Sequence, residues 1–162
     1  MNNYPDPIEY LLNEHAVGRE VLSTLEEAVN SIEKIGFTAD AFKKIVGAVE
    51  FIGSKLKVHY DMEDQHLYPL LQRRAVSSQN VTHHERREMW QSFKELTISV
   101  KDIEDGKVHA TTIRELIKTA RAVVEYFRNH IEREEEIVFP MVKRLLTPDE
   151  YADLAKEIAE RA

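Results

Sequence analysis

Two segments of the chain carry the residues that could do chemistry. His59-Tyr60-Asp61-Met62-Glu63-Asp64-Gln65-His66-Leu67-Tyr68-Pro69 aligns with His130-Ile131-Glu132-Arg133-Glu134-Glu135-Glu136-Ile137-Val138-Phe139-Pro140 at an offset of 71 residues. Histidine, glutamate and proline coincide, and an acidic, an aliphatic and an aromatic position are similar. In each segment a histidine and a glutamate four residues later share one face of a helix. Such a pair can chelate one metal ion, or its carboxylate can span two. The chain has no cysteine, which removes thiolate zinc sites, cysteine-ligated iron–sulfur clusters, disulfides and cysteine nucleophiles together. Imidazole and carboxylate without sulfur suit iron, with manganese and zinc as alternatives.

Such segments need a scaffold, and the composition allows one. The chain has 162 residues, 43% of them hydrophobic and 31% charged. A chain of ~150 residues buries roughly 70% of its unfolded surface, so a single domain over residues 1–162 with a real core is expected. The net charge of −7, with no basic block, argues against nucleic acid or an anionic membrane as partner. The N-terminus lacks a basic targeting region. The longest stretch free of Asp, Glu, Lys and Arg runs from Ala75 to His84, far short of the ~20 residues of a membrane span. A soluble, cytoplasmic protein is the expectation, and a homodimer is compatible with it.

The punctuation of the chain predicts an all-α fold. Pro5 and Pro7 precede the first apolar run, where proline suits a first helical turn. Gly36 ends one periodic segment and Thr38 caps the next. The stretch 74–80 reads as a connection, and Gly106 marks another, with Thr111 or Thr112 as the following cap. Thr147-Pro148-Asp149-Glu150 is a capping box with proline at its first helical position. The reading is four long helices, about 7–35, 39–73, 79–104 and 111–146, and a short C-terminal one, about 148–161. Connections this short favour antiparallel neighbours and an up-down-up-down four-helix bundle.

Apolar seams support that reading. Helix 1 offers Ile8, Leu11, His15, Gly18, Leu22, Leu25, Val29 and Ile32. Helix 2 offers Phe42, Ile45, Val49, Ile52, Leu56, His59, Glu63, His66 and Leu70, and helix 4 offers Ile113, Leu116, Ala120, Val123, Phe127, His130, Glu134, Ile137 and Met141. These are bundle-core seams, and a carboxylate left there without a partner is costly. The heights agree as well. His15 lies 20 residues before Ile35 and His59 20 after Ala39, so at 1.5 Å per residue both stand about 30 Å from the same end of the bundle. On helix 3, His84 lies 20 and His83 21 residues before Glu104, and on helix 4 His130 lies 19 after Thr111. All four helices bring a histidine to nearly one level.

The paired His-x-x-x-Glu segments, each with its proline, and the single histidines on helices 1 and 3 resemble the hemerythrin-like (HHE cation-binding) family over about residues 7–146. The resemblance implies a four-helix bundle around a non-haem di-iron centre, oxo- or hydroxo-bridged, with terminal histidines and two bridging carboxylates. His15, His59, Glu63, His130 and Glu134 match the family's ligand positions, and helix 3 supplies His83 or His84. The apolar face of helix 3, Met89, Trp90, Phe93, Leu96, Val100 and Ile103, centres nearer His83, whereas His84 lies nearer the expected height. Oxygen-carrying hemerythrins have a second histidine one turn further along helix 3; here that position is Arg87 or Glu88. Two octahedral irons then keep two open positions instead of one. This shifts the expectation from reversible oxygen carriage to binding or sensing oxygen, nitric oxide or peroxide. Iron storage or homeostasis is the alternative within metal chemistry, and a metal-free helical interaction module lies outside it. No residue is assigned as catalytic, although a redox or peroxide-reactive activity fits such a centre.

Simpler roles are expected for the remaining polar residues. Glu63-x-x-His66 has the spacing of a ferritin-like motif, but helix 4 has no matching copy, so His66 is read as packing or support. His109 falls in a turn and is read as solvated. Of the run 132–136, all but Glu134 are expected on an exposed charged face. Tyr10, Tyr60, Trp90 and Tyr126 are expected to pack at the bundle boundary.

Overall fold

The computed structural model describes residues 4–74 and 77–161, the side chains of residues 77–83 excepted. Four long helices and a short fifth account for nearly all of them. Helix α1 spans Pro7–Ile35, with the Asp6 carboxylate accepting hydrogen bonds from the N–H groups of Ile8 and Glu9. It ends at Gly36, whose φ of 95° suits a residue without Cβ. Thr38 accepts the N–H of Ala41 and opens α2 (39–72). Helix α3 covers Ser77–Glu104, two residues earlier than the sequence suggests. Helix α4 (110–145) starts at His109, not at a threonine: the His109 N–H donates to Thr112 Oγ1 at 2.9 Å, which stands three residues inside the helix. Helix α5 spans Pro148–Arg161 behind the expected capping box, Glu150 N–H to Thr147 Oγ1 at 3.2 Å and Thr147 N–H to Glu150 Oε1 at 3.0 Å. Among the described residues no helix is long and apolar enough to cross a membrane.

The helices pack antiparallel in the order α1–α2–α3–α4, with α4 closing back on α1. Two apolar clusters fill the bundle. The larger joins Leu22, Leu25, Ile45, Ile52, Leu96, Leu116, Phe127 and their neighbours. The smaller joins Ile8, Leu11, Leu67, Leu71, Phe139 and Val142 to Leu154 and Ile158 of α5. Fully burying a side chain of this size stabilises the fold by about 1.5–3 kcal/mol, so both ends of the bundle are sealed. A latch fixes α5 in place, where Tyr151 donates to Asp6 Oδ1 at 2.7 Å. The histidine level therefore lies between two apolar layers, because α5 closes the end of the bundle beyond it.

Helices α2 and α4 share a local distortion. Each widens into a π-helical turn at its glutamate, Glu63–Leu67 in α2 and Glu134–Val138 in α4, and α2 has a further one upstream at Ile52–Leu56. The Tyr68 N–H donates to Glu63 O and the Phe139 N–H to Glu134 O, one residue beyond the α-helical partner. Pro69 and Pro140 follow immediately. Each lacks an N–H and its ring would crowd the carbonyl four residues back, and a wide turn relieves both problems. The extra residue slips the seam by one. Leu67 and Leu71 are buried where His66 and Leu70 were expected, and Val138 and Val142 where Ile137 and Met141 were. Ile137 is left 46% exposed.

Candidate metal centre

His15 on α1, His59 and Glu63 on α2, and His130 and Glu134 on α4 are all buried between the two apolar clusters. One ligating atom from each of His15, His59, Glu63 and Glu134 lies within 4.8 Å of the other three. The His15 Nε2–H donates to Glu134 Oε1 at 3.2 Å, and His59 Nε2 is 3.3 Å from Glu63 Oε2. His130 stands beside this group, its Nε2 3.5 Å from Glu134 Oε2. Glu134 thus touches a histidine of its own helix and one of α1. Both glutamates begin π turns, a feature frequent at functional sites.

Several of these atoms lack partners. Among the described residues, His15 Nδ1, His59 Nε2, both oxygens of Glu63 and both ring nitrogens of His130 are buried without a hydrogen bond. Each such group costs about 1–3 kcal/mol. The donor set is three imidazoles and two carboxylates, and a divalent or trivalent cation would engage the groups left unsatisfied. The residues therefore fit a metal of the iron, manganese or zinc type.

The metal-free site manages its charge with protons. Burial alone would lower His59, but the Glu63 charge and a hydrogen bond to Glu14 outweigh it and lift the imidazole to about 10. Burial, reinforced by the Glu134 charge, raises Glu63 to about 7. Burial pushes Glu134 the same way, yet His130 and the hydrogen bond from His15 hold it well below the usual carboxylate range. Two buried carboxylates this close cannot both ionise freely, so one keeps its proton.

A permanent cation also reaches the site, from a position whose charge hides it in the sequence. Arg86 on α3 is buried, donates to Tyr60 O at 2.8 Å and pairs with Asp64. Its guanidinium lies 5.3 Å from the Tyr60 ring centre and 5.0 Å from that of Tyr68. Tyr68 in turn donates to Glu134 Oε2 at 2.6 Å. Arg86 stands three residues before Met89, in phase with the apolar face of α3, and that phase was the available signal. Arg86→Met is expected to destabilise the metal-free protein by about 2–4 kcal/mol, because the buried carboxylates lose their fixed counter-charge. Denaturant unfolding of chelator-treated protein measures it; a loss below about 0.5 kcal/mol would show Arg86 to be ordinary packing.

The other candidates fall elsewhere. His84 points outward, its side chain 65% exposed and 3.2 Å from Glu88. The side chain of His83 lies outside the described residues. His66 is half-buried, 3.8 Å from Glu157 of α5, because the π turn rotates it off the seam. His109 is exposed, as expected. Tyr60 is fully buried, not at a boundary, with its ring centre 4.8 Å from that of His59 and 5.3 Å from that of His130. Trp90 lies behind it at 5.9 Å, and Tyr126 is exposed. Glu135 departs from the exposed-face expectation, since it is partly buried, 3.4 Å from His15 Nδ1 and 2.5 Å from Arg19.

The family model described as "Hemerythrin HHE cation binding domain" matches residues 6–142. Among curated proteins, F-box/LRR-repeat protein 5 of Salmo salar is 28% identical over 105 residues, which is 64% of this chain and 15% of that protein. The chain thus corresponds to a small part of that relative's length.

Proposed function

Because this chain belongs to the hemerythrin HHE cation-binding family, we propose that it holds a non-haem di-iron centre that binds or senses oxygen, nitric oxide or peroxide. The observation that carries the reading is the buried convergence of His15, His59, Glu63 and Glu134, with His130 alongside. His15 and His59 would hold metal through the Nε2 atoms that face the carboxylates. His130 would hold a second ion, and Glu63 and Glu134 would be shared between the two. From helix α3, His83 stays the candidate, since His84 faces outward. When bound, the iron pair supplies a redox-active group able to accept a small ligand.

The chain's own residues do the rest. The apolar clusters on both sides exclude bulk water. Tyr68 holds its hydroxyl proton on Glu134 Oε2 and fixes that carboxylate. Arg86 offsets the negative charge without occupying a ligand position. Among the described residues three histidines, His15, His59 and His130, converge on this level, which leaves room for a small exogenous ligand and supports sensing over carriage. A similar segment stands within a longer F-box/LRR-repeat protein, so a domain of this kind can be joined to others in one chain.

Iron-loaded, reduced protein is expected to change its near-ultraviolet and visible spectrum on exposure to oxygen or nitric oxide, and to recover when the gas is removed or the protein re-reduced. A spectrum indifferent to oxygen, nitric oxide and added peroxide, with more than two irons retained per chain, would point to storage instead.

A further inference from the structure

We propose that Glu14 and Glu135 are positioning residues for His59 and His15, and that they make this side of the centre the slower to release its metal. The inference rests on the metal-centre reading above. The His59 ring is held between two carboxylates: Nδ1–H donates to Glu14 Oε1 at 3.0 Å, and Nε2 faces Glu63 Oε2 at 3.3 Å. The His15 ring is placed in a similar way but more loosely, with Nδ1 3.4 Å from Glu135 Oε2 and no hydrogen bond between them, and Nε2 3.2 Å from Glu134 Oε1. In both rings the outer nitrogen faces a partly exposed acid and the inner nitrogen a fully buried one.

A carboxylate on Nδ1–H fixes the tautomer and the ring plane, so that the Nε2 lone pair is presented to the pocket. It also raises the basicity of that lone pair. The acids act across helices. Glu14 is on α1 but serves a histidine of α2, and Glu135 is on α4 but serves a histidine of α1. Glu135 is itself held by Arg19. Glu14 lines a surface cleft with Val17, Phe51, Lys55 and Leu56.

Among the described residues His130 Nδ1 faces no carboxylate, and neither of its ring nitrogens has a hydrogen-bond partner. His15 and His59 belong to one four-group cluster, and their ring centres are 4.9 Å apart. The three histidines are therefore unequal: His59 is braced by a hydrogen bond, His15 by the 3.4 Å contact with Glu135, and His130 by no described carboxylate on Nδ1.

The test loads wild type, Glu14→Ala, Glu14→Gln, Glu135→Ala and Glu136→Gln anaerobically with ferrous iron and confirms helicity by circular dichroism. Release to an excess of a coloured ferrous chelator is then followed. Wild type is expected to release iron in two phases. Both alanine variants should speed the slower phase about 10–100-fold and leave the faster within about twofold. Glu14→Gln keeps an acceptor without the charge and should fall between, while Glu136→Gln, at an exposed position, should match wild type. A second readout uses the zinc-loaded protein, in which nitrogen-15 spectra of the histidines should place the proton of His59 on Nδ1 in wild type and not in Glu14→Ala. Folded alanine variants with wild-type release and an unchanged His59 tautomer would overturn this inference alone. A wild-type chain that takes up neither iron nor zinc would overturn the metal-centre reading and this inference with it.

Discussion

Glu134→Ala is expected to abolish metal retention, the largest effect of any single substitution in the chain. Glu134 is the hub of the site: it accepts from His15 Nε2 and from Tyr68, and stands 3.5 Å from His130 Nε2. Removing it disconnects the histidines of α1 and α4 at once. Loss of a bridging carboxylate should exceed the 10–100-fold cost of losing an outer partner, so affinity is expected to fall by more than about 100-fold. Glu63→Ala or His130→Ala should instead abolish binding of the second ion and leave the first. Glu134→Gln keeps an acceptor for Tyr68 and separates loss of metal from loss of fold. Metal per chain after gel filtration, with Glu132→Ala as an exposed control, gives the answer. Two ions retained by folded Glu134→Gln would remove Glu134 from the centre.

Stability of the metal-free protein should fall steeply as pH rises. His59 is raised from its ordinary 6.5 to about 10, and Glu63 from 4.5 to about 7. Both groups hold their protons more tightly folded than unfolded. Their contributions are therefore complete below 6.5 and 4.5, and are lost as pH climbs through about 10 and about 7. Glu134 works in the opposite sense: its depressed value adds stability above the ordinary carboxylate range, which is lost only in acid. The net change between pH 5 and pH 9 is on the order of several kcal/mol, a fall of about 10 °C in Tm for a chain of this size. A bound cation replaces those protons, so metal affinity should strengthen over the same range. Thermal scans of chelator-treated and metal-loaded protein from pH 5 to 9 should show the gap between them widening. A metal-free Tm that is flat or rising across that range would mean that the two carboxylates do not share a proton as described.

Much of this was legible in the sequence because helices are regular. Counting residues from the joined ends put His15, His59 and His130 at one height, and the fold brings His15 and His59 together with Glu63 and Glu134. The seam of α1, from Ile8 to Ile32, is buried throughout. Regular counting failed where the helix itself is irregular. A π turn adds a residue, so every seam position beyond Glu63 and Glu134 was misplaced by one, His66 among them. The prolines signalled a disturbance there, but a kink and a widened turn leave the same trace in the sequence.

Contacts between helices were harder to read. Glu14 and Glu135 sit beside residues of the site in sequence and look like surface charge, yet each reaches a histidine on a neighbouring helix. That pairing depends on the rotation of α1 against α2 and α4, which no single-helix pattern contains. Arg86 was overlooked because a charged residue in an apolar phase reads as an interruption. It is buried because two carboxylates behind it need a counter-charge, a requirement that was visible once Glu63 and Glu134 were placed in the core.

The central claim is that the buried histidines and glutamates hold a pair of metal ions, and metal analysis tests it most directly. The chain should be purified aerobically, and a second sample stripped and reloaded anaerobically with ferrous salt. About two irons per chain are expected in the reloaded protein, with near-ultraviolet absorption that changes on reduction. No metal as purified and no uptake from ferrous salt would contradict the account and leave a helical bundle whose polar layer serves only the specificity of its packing.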